Sequence, residues 1–211
     1  MKISSLPLFA ACFLALISST HAGPDRLTTR FQRDDRDFDA PSFELSAESA
    51  YTLGCFGNPH AYEIAMQFIT ARVRWGAVHN EESWLRGYNQ VYLLAMGEYF
   101  VRGLENHYFG INAGLRYNFV RPGSRFVPYV SGGVGLGDVD ATRDKTPGAL
   151  GQNFTFNILS AVGVTYRIND HWRATGGLLY EHLSNAGLSA PERPNSSLNA
   201  VGPQFGVTYS F

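Results

Sequence analysis

The segment YEHLSNAGL, from Tyr180 to Leu188, holds a pair of side chains suited to covalent chemistry. His182 and Ser184 are two residues apart, and on a β-strand residues two apart project from the same side. An imidazole beside a hydroxyl is the minimal equipment for nucleophilic catalysis, because a serine oxygen is a weak nucleophile until a base takes its proton. Counting back by two, the same face carries Tyr180, Leu178, Gly176, Ala174 and Trp172, whereas Arg173, Thr175 and Glu181 occupy the other. The pair therefore belongs to an apolar face, and Glu181 points away from it.

Other kinds of chemistry find little support. There is no metal-ligand spacing and no dinucleotide motif, and the GGVGLG run from Gly132 to Gly137 begins in mid-strand rather than ahead of a helix, where it would relieve crowding in a curved strand. No metal and no cofactor are expected. His60, His79, His107 and His171 fall at strand ends or in loops. Eighteen acidic residues against 17 basic ones, with the bases scattered, provide no electrostatic footprint for nucleic acid. Cys12 lies in an N-terminal apolar run, so Cys55 is left without an intramolecular partner and a disulfide framework is excluded.

The elements that must position His182 and Ser184 read as strands. The chain is 211 residues long, 45% hydrophobic and only 17% charged, and after its N-terminal run it repeats segments of alternating apolar and polar side chains separated by Gly, Asn, Pro or Asp. Eight segments are predicted: Phe43 to Leu53, Ala61 to Trp75, Gln90 to Arg102, His107 to Phe119, Arg125 to Gly137, Gln152 to Arg167, Trp172 to Ser184, and Asn199 to Phe211. Their length exceeds the five or six residues typical of soluble sandwich strands and approaches what crosses a membrane at a tilt. An even number of long strands with aromatic ends (Phe109, Phe119, Phe154, Tyr166, Trp172) predicts an all-β, eight-stranded antiparallel transmembrane β-barrel. No stretch of twenty apolar residues exists, which excludes a helical membrane protein.

Within that barrel the second and third segments are less regular, with Ile69, Ala71, Val73 and Trp75 out of phase with Tyr62, Ile64, Met66 and Phe68, and a bulge is expected near there. Inward Glu44, Glu48, Glu98, Arg116, Arg167 and Arg173 are expected to pair across a filled interior, since eight strands leave room for side chains and not for a pore. Short connections belong on the periplasmic side and long ones outside. The turns around Pro122 and at Asn169 and Asp170 are short, and those at 138–151 and 185–198 are long. The segment 76–89 is the exception, since it falls on the periplasmic side yet is not short.

Lys2, an apolar run of about twelve residues from Leu6 to Ile17 and a small-residue end at Ala22 have the form of a secretory signal peptide over 1–22. The charge-dense stretch 23–41 reads as a periplasmic leader, which leaves 42–211 for the barrel.

The sequence resembles the outer-membrane lipid A 3-O-deacylases of the PagL type. The resemblance is sharpest in His182, Ser184, Asn185, Ala186 and Gly187 and extends through Pro194 and Asn195 to Phe211. It implies an eight-stranded barrel in the Gram-negative outer membrane that acts as a serine esterase on lipid A, the anchor of lipopolysaccharide, without a cofactor, and removes the 3-hydroxyacyl chain at position 3. It also implies Ser184 as nucleophile, His182 as general base, and Asn185 with the backbone N–H of Gly187 as oxyanion donors. Homodimers occur in the family.

The third member departs from that pattern, because the family's acid is a glutamate near the start of the last strand and this chain has Asn199 there. By period two Asn199 lies on the outward face with Phe205 and Phe211, as His182 and Ser184 do on theirs, so its amide is placed to accept the imidazole N–H. Glu192, in the preceding loop, is the alternative. Loss of the carboxylate also supports a second reading, a noncatalytic structural or binding barrel of the same ancestry.

Overall fold

Eight antiparallel strands pair in chain order and the last returns to the first, so the sheet closes on itself. They are β1 (Phe43–Gly54), β2 (Glu63–His79), β3 (Gly87–Arg102), β4 (His107–Phe119), β5 (Phe126–Val139), β6 (Phe154–Arg167), β7 (Trp172–Ser184) and β8 (Leu198–Ser210). The computed structural model describes residues 41–58, 60–79, 83–143, 150–193 and 196–211. The expected signal peptide, the leader up to residue 40, and Pro194 and Asn195 lie outside the described residues.

Period-two sorting is carried through every strand. In β1, Glu44, Ser46, Glu48, Ala50 and Thr52 are buried in the barrel while Phe43, Leu45, Ala47, Ser49 and Tyr51 face out. The outer surface is apolar, with Leu45, Ile69, Val73, Leu93, Ile111 and Val162 among its exposed residues. Ring contacts mark the rim nearest the chain's last strand end: Phe43 with Phe211 at 5.2 Å, Trp172 with Tyr209 at 5.1 Å and Phe126 with Tyr166 at 5.0 Å. A belt of aliphatic residues edged by aromatic ones is the surface a bilayer requires.

The interior has two layers. Toward the rim just described it is polar: Arg173 donates to Glu44 at 2.9 Å, Gln90 donates to Glu44 at 2.6 Å, Arg72 pairs with Glu48 and Ser46, and Gln204 donates to Glu48 at 2.9 Å. Arg116 lies 3.6 Å from the Tyr129 ring centroid and donates to Thr165. Toward the opposite rim it is apolar, with Ile64, Met66, Phe68, Leu94, Met96, Leu179 and Leu183 in one buried cluster. This layering corrects two expectations. Ile64, Met66 and Phe68 are the inward set of β2 and Ile69, Ala71, Val73 and Trp75 its outward set, so both faces are apolar along one unbroken alternation and the irregularities fall at Glu63/Ile64 and Trp75/His79. Among the described residues Glu98 pairs with no arginine. It faces Glu181 in the apolar layer, and the two buried carboxyl groups have each other and no further donor as partners.

The glycines of β5 make room for this interior. A Cβ on Gly133 would stand 2.3 Å from both Tyr92 Oη and Asn112 Oδ1, and one on Gly137 would stand 2.5 Å from Tyr108 Oη. The space is taken by a chain in which Tyr92 donates to Asn112, Asn112 to Asn157, and Asn157 to Tyr108. Strands β2 and β3 run further than expected, to His79 and from Gly87, which shortens the connection that broke the short-and-long rule to 80–86.

Removal of Glu48 leaves the guanidinium of Arg72 dry and without its carboxylate. Glu48→Ala is expected to cost about 3–5 kcal/mol of unfolding free energy, and adding Arg72→Met to recover most of it, read from urea midpoints of the barrel in detergent.

Candidate active site

Antiparallel pairing of β7 with β8 sets His182 directly opposite Asn199. Directly opposed residues carry their Cβ atoms about 4.5–5.5 Å apart, so the two side chains meet without any special loop. His182 Nδ1 lies 2.9 Å from Asn199 Oδ1, and the hydroxyl of Tyr180 donates to the same oxygen at 2.7 Å. With Oδ1 turned toward it, Nδ1 carries the ring proton and Nε2 presents its lone pair. Ser184 follows on the same face at the end of β7, opposite Phe156 of β6, and like His182 it is half-buried. The two are not hydrogen-bonded to each other; the hydrogen bond of the His182 ring is the one to Asn199.

Asn199 faces outward by register yet is only 6% exposed, because a second segment closes over it. The β1–β8 ladder ends at the pair Gly54–Ala200. Beyond that point the Cys55 N–H donates to Asn199 O at 2.9 Å, and the Asn58 side chain replaces the missing strand: its Nδ2 donates to Asn199 O at 2.8 Å while its Oδ1 accepts the Asn199 N–H at 2.7 Å. Phe56 from the same segment stacks on Tyr180 with centroids 5.9 Å apart. The segment 55–58 thus fixes the backbone of Asn199 and covers Tyr180.

After Ser184 the chain turns sharply. Ala186 and Gly187 both adopt left-handed conformations, φ 54° and 82°, which costs energy at the alanine and marks a position held by its surroundings. Asn185 is the holder. Its amide, 0% exposed, donates to Leu150 O at 2.6 Å and to Ser189 Oγ at 2.7 Å, and its Oδ1 accepts the Gly187 N–H at 2.8 Å.

Of the residues singled out from sequence, His182, Ser184 and Asn199 converge on one outward patch, and Asn185 and Gly187 flank it. Both N–H groups of Asn185 are committed inside the loop, and the Gly187 N–H is committed to Asn185. Glu192 is exposed in the β7–β8 connection and makes no hydrogen bond to His182, whose Nδ1 partner is Asn199. The sequence gives Phe56 and Asn58 no role and shows Tyr180 only as outward-facing; nothing in it links Asn58 to a residue 141 positions away. Among the described residues no group of three or more His, Cys, Asp or Glu is placed to hold a metal ion.

The sequence profile of a family described as Lipid A 3-O-deacylase (PagL) matches residues 60–208. Among solved structures, that of the outer membrane enzyme PagL superposes with a TM-score of 0.56 at 19% identity, covering 77% of this chain and 97% of that one. Neisserial surface protein A (NspA) superposes with a TM-score of 0.55 at 15% identity, covering 81% and 97%. At these identities the structural likeness shows the barrel fold. No curated protein sequence matches closely.

Asn58→Ala is expected to strip the Asn199 N–H of its acceptor. Hydrogen–deuterium exchange in a peptide spanning the start of β8 should accelerate, with a loss of about 1–2 kcal/mol of stability for the two bonds together.

Proposed function

The chain belongs to the lipid A 3-O-deacylase (PagL) family and is an outer-membrane β-barrel, and on that footing we propose that it hydrolyses the ester joining the 3-hydroxyacyl chain to position 3 of lipid A. The observation that carries the reading is the 2.9 Å contact of His182 Nδ1 with Asn199 Oδ1 on the membrane-facing side of β7 and β8, beside Ser184. An outward site near the external end of a strand suits a substrate that is itself a lipid of the outer leaflet.

In this reading His182 Nε2 takes the proton of Ser184 Oγ as that oxygen attacks the acyl carbonyl. The tetrahedral intermediate collapses with cleavage of the ester C–O bond, and the imidazolium gives its proton to the departing sugar oxygen. Water, activated by the same ring, then cleaves the acyl-serine and releases the 3-hydroxy acid. Asn199 Oδ1 keeps the Nδ1–H in place through both halves. Of the two expected oxyanion donors the Gly187 N–H serves in this reading, leaving Asn185 Oδ1 for the oxyanion, while the Asn185 amide N–H groups keep their bonds to Leu150 and Ser189 and maintain the turn. No step calls for a metal or cofactor. Residues 1–22 serve as the export signal in the same reading.

An amide in the third position orients the imidazole but adds no charge to stabilise the imidazolium. That difference is the observation favouring a noncatalytic barrel of the same family, and one experiment separates the two. Mass spectrometry of lipid A from cells making the wild-type chain is expected to show loss of one 3-hydroxyacyl group, and cells making Ser184→Ala are expected to keep it. Unmodified lipid A despite a correctly inserted wild-type barrel would establish the noncatalytic reading. In detergent assays Asn199→Asp is expected to raise kcat by up to about tenfold, the margin between a neutral and a charge-assisted hydrogen bond.

A further inference from the structure

A carboxylate presents an acceptor whichever way it turns, whereas an amide has an accepting end and a donating end of nearly the same size. If Asn199 turned its Nδ2 toward His182, it would donate to Nδ1 and drive the ring proton onto Nε2, where it would point at Ser184 in place of the lone pair that a base needs. A chain that carries Asn in this position therefore needs something to choose the end. Asn58 and Cys55 hold the Asn199 backbone, so rotation of the side-chain amide is the freedom that remains.

We propose that Tyr180 is the positioning residue that makes this choice: its hydroxyl donates to Asn199 Oδ1, holds that oxygen toward His182, and so keeps Nε2 unprotonated as the base. Tyr180 Oη lies 2.7 Å from Oδ1, and the O–H and the His182 Nδ1–H converge on the two lone pairs of one oxygen. A phenol donates more readily than it accepts, so the reversed amide would give up the better bond. The ring that delivers the hydroxyl is held in turn by Phe56 stacked against it. This role rests on the deacylase reading for its catalytic meaning, but the tautomer it sets is a property of the resting chain.

The test removes one atom in two backgrounds. Tyr180→Phe keeps a ring for Phe56 to stack on and deletes the hydroxyl. With Asn199 present, it is expected to lower kcat about three- to tenfold at unchanged KM, and to move the imidazole ¹⁵N resonances of His182 from the Nδ1–H form toward a mixture of tautomers. The His182 signals are assigned by their loss in His182→Gln, in the full chain folded in micelles. With Asn199→Asp, where both ends of the third residue accept, the same Tyr180→Phe change is expected to leave the tautomer intact and kcat within about twofold. An equal loss in both backgrounds would mean that Tyr180 serves packing alone and would overturn the proposal, as would an unchanged His182 tautomer in the single variant. The NMR readout needs no turnover, so a chain that shows the tautomer shift yet deacylates nothing would overturn the deacylase reading and leave the positioning role standing.

Discussion

A strand that faces hydrocarbon has no water to take up its backbone N–H and C=O groups, so every one of them must be met by a neighbouring strand. In this chain that demand is satisfied by bringing β8 back to β1, and the rest of the molecule follows from the closure. Once the sheet is a ring, alternate residues have only two places to go. Those pointing in must fill a space just wide enough for side chains, and those pointing out must be compatible with lipid.

The polar layer is built from charges too costly to bury singly, and they are joined in pairs and chains: Arg173 with Glu44, Arg72 with Glu48, Gln204 with Glu48. The apolar layer behind β7 gives the site a rigid backing, because Leu179 and Leu183 are anchored in it while Tyr180, His182 and Ser184 emerge on the other side. A site on the outside of a barrel would otherwise rest on one sheet alone. Here the inward residues of the same strand hold it from within, and the segment 55–58 holds it from above.

Much of the fold could be read from the sequence because the rule that shapes it is local. Period two over β4, β6 and β8 needs no knowledge of partners, and strand count, closure and the outward direction of His182, Ser184 and Asn199 follow from it. The β2 reading failed where that rule is ambiguous: Ile64, Met66 and Phe68 look out of phase only if one face is assumed polar, and in this strand both faces are apolar. The pairing of Glu98 with an arginine failed for a different reason. Which inward residues share a layer depends on how far each strand has climbed the barrel, and Arg72, Arg116 and Arg173 lie in the other layer. The site was readable as far as strand register carries it. The contributions of Asn58 and Phe56 depend on where β1 leaves the sheet, which no pattern in the chain records.

The substitute strand formed by the Asn58 side chain sits at the seam where the two ends of the barrel meet. Tyr180, His182 and Asn199 belong to a single hairpin and can come together on their own, but the partners that fix the Asn199 backbone arrive from β1, at the far end of the chain. The complete surroundings of the imidazole therefore exist only in the finished ring and in no open precursor. A chain whose first strand has not yet met its last lacks the three hydrogen bonds that hold the Asn199 backbone, however well its hairpin is formed.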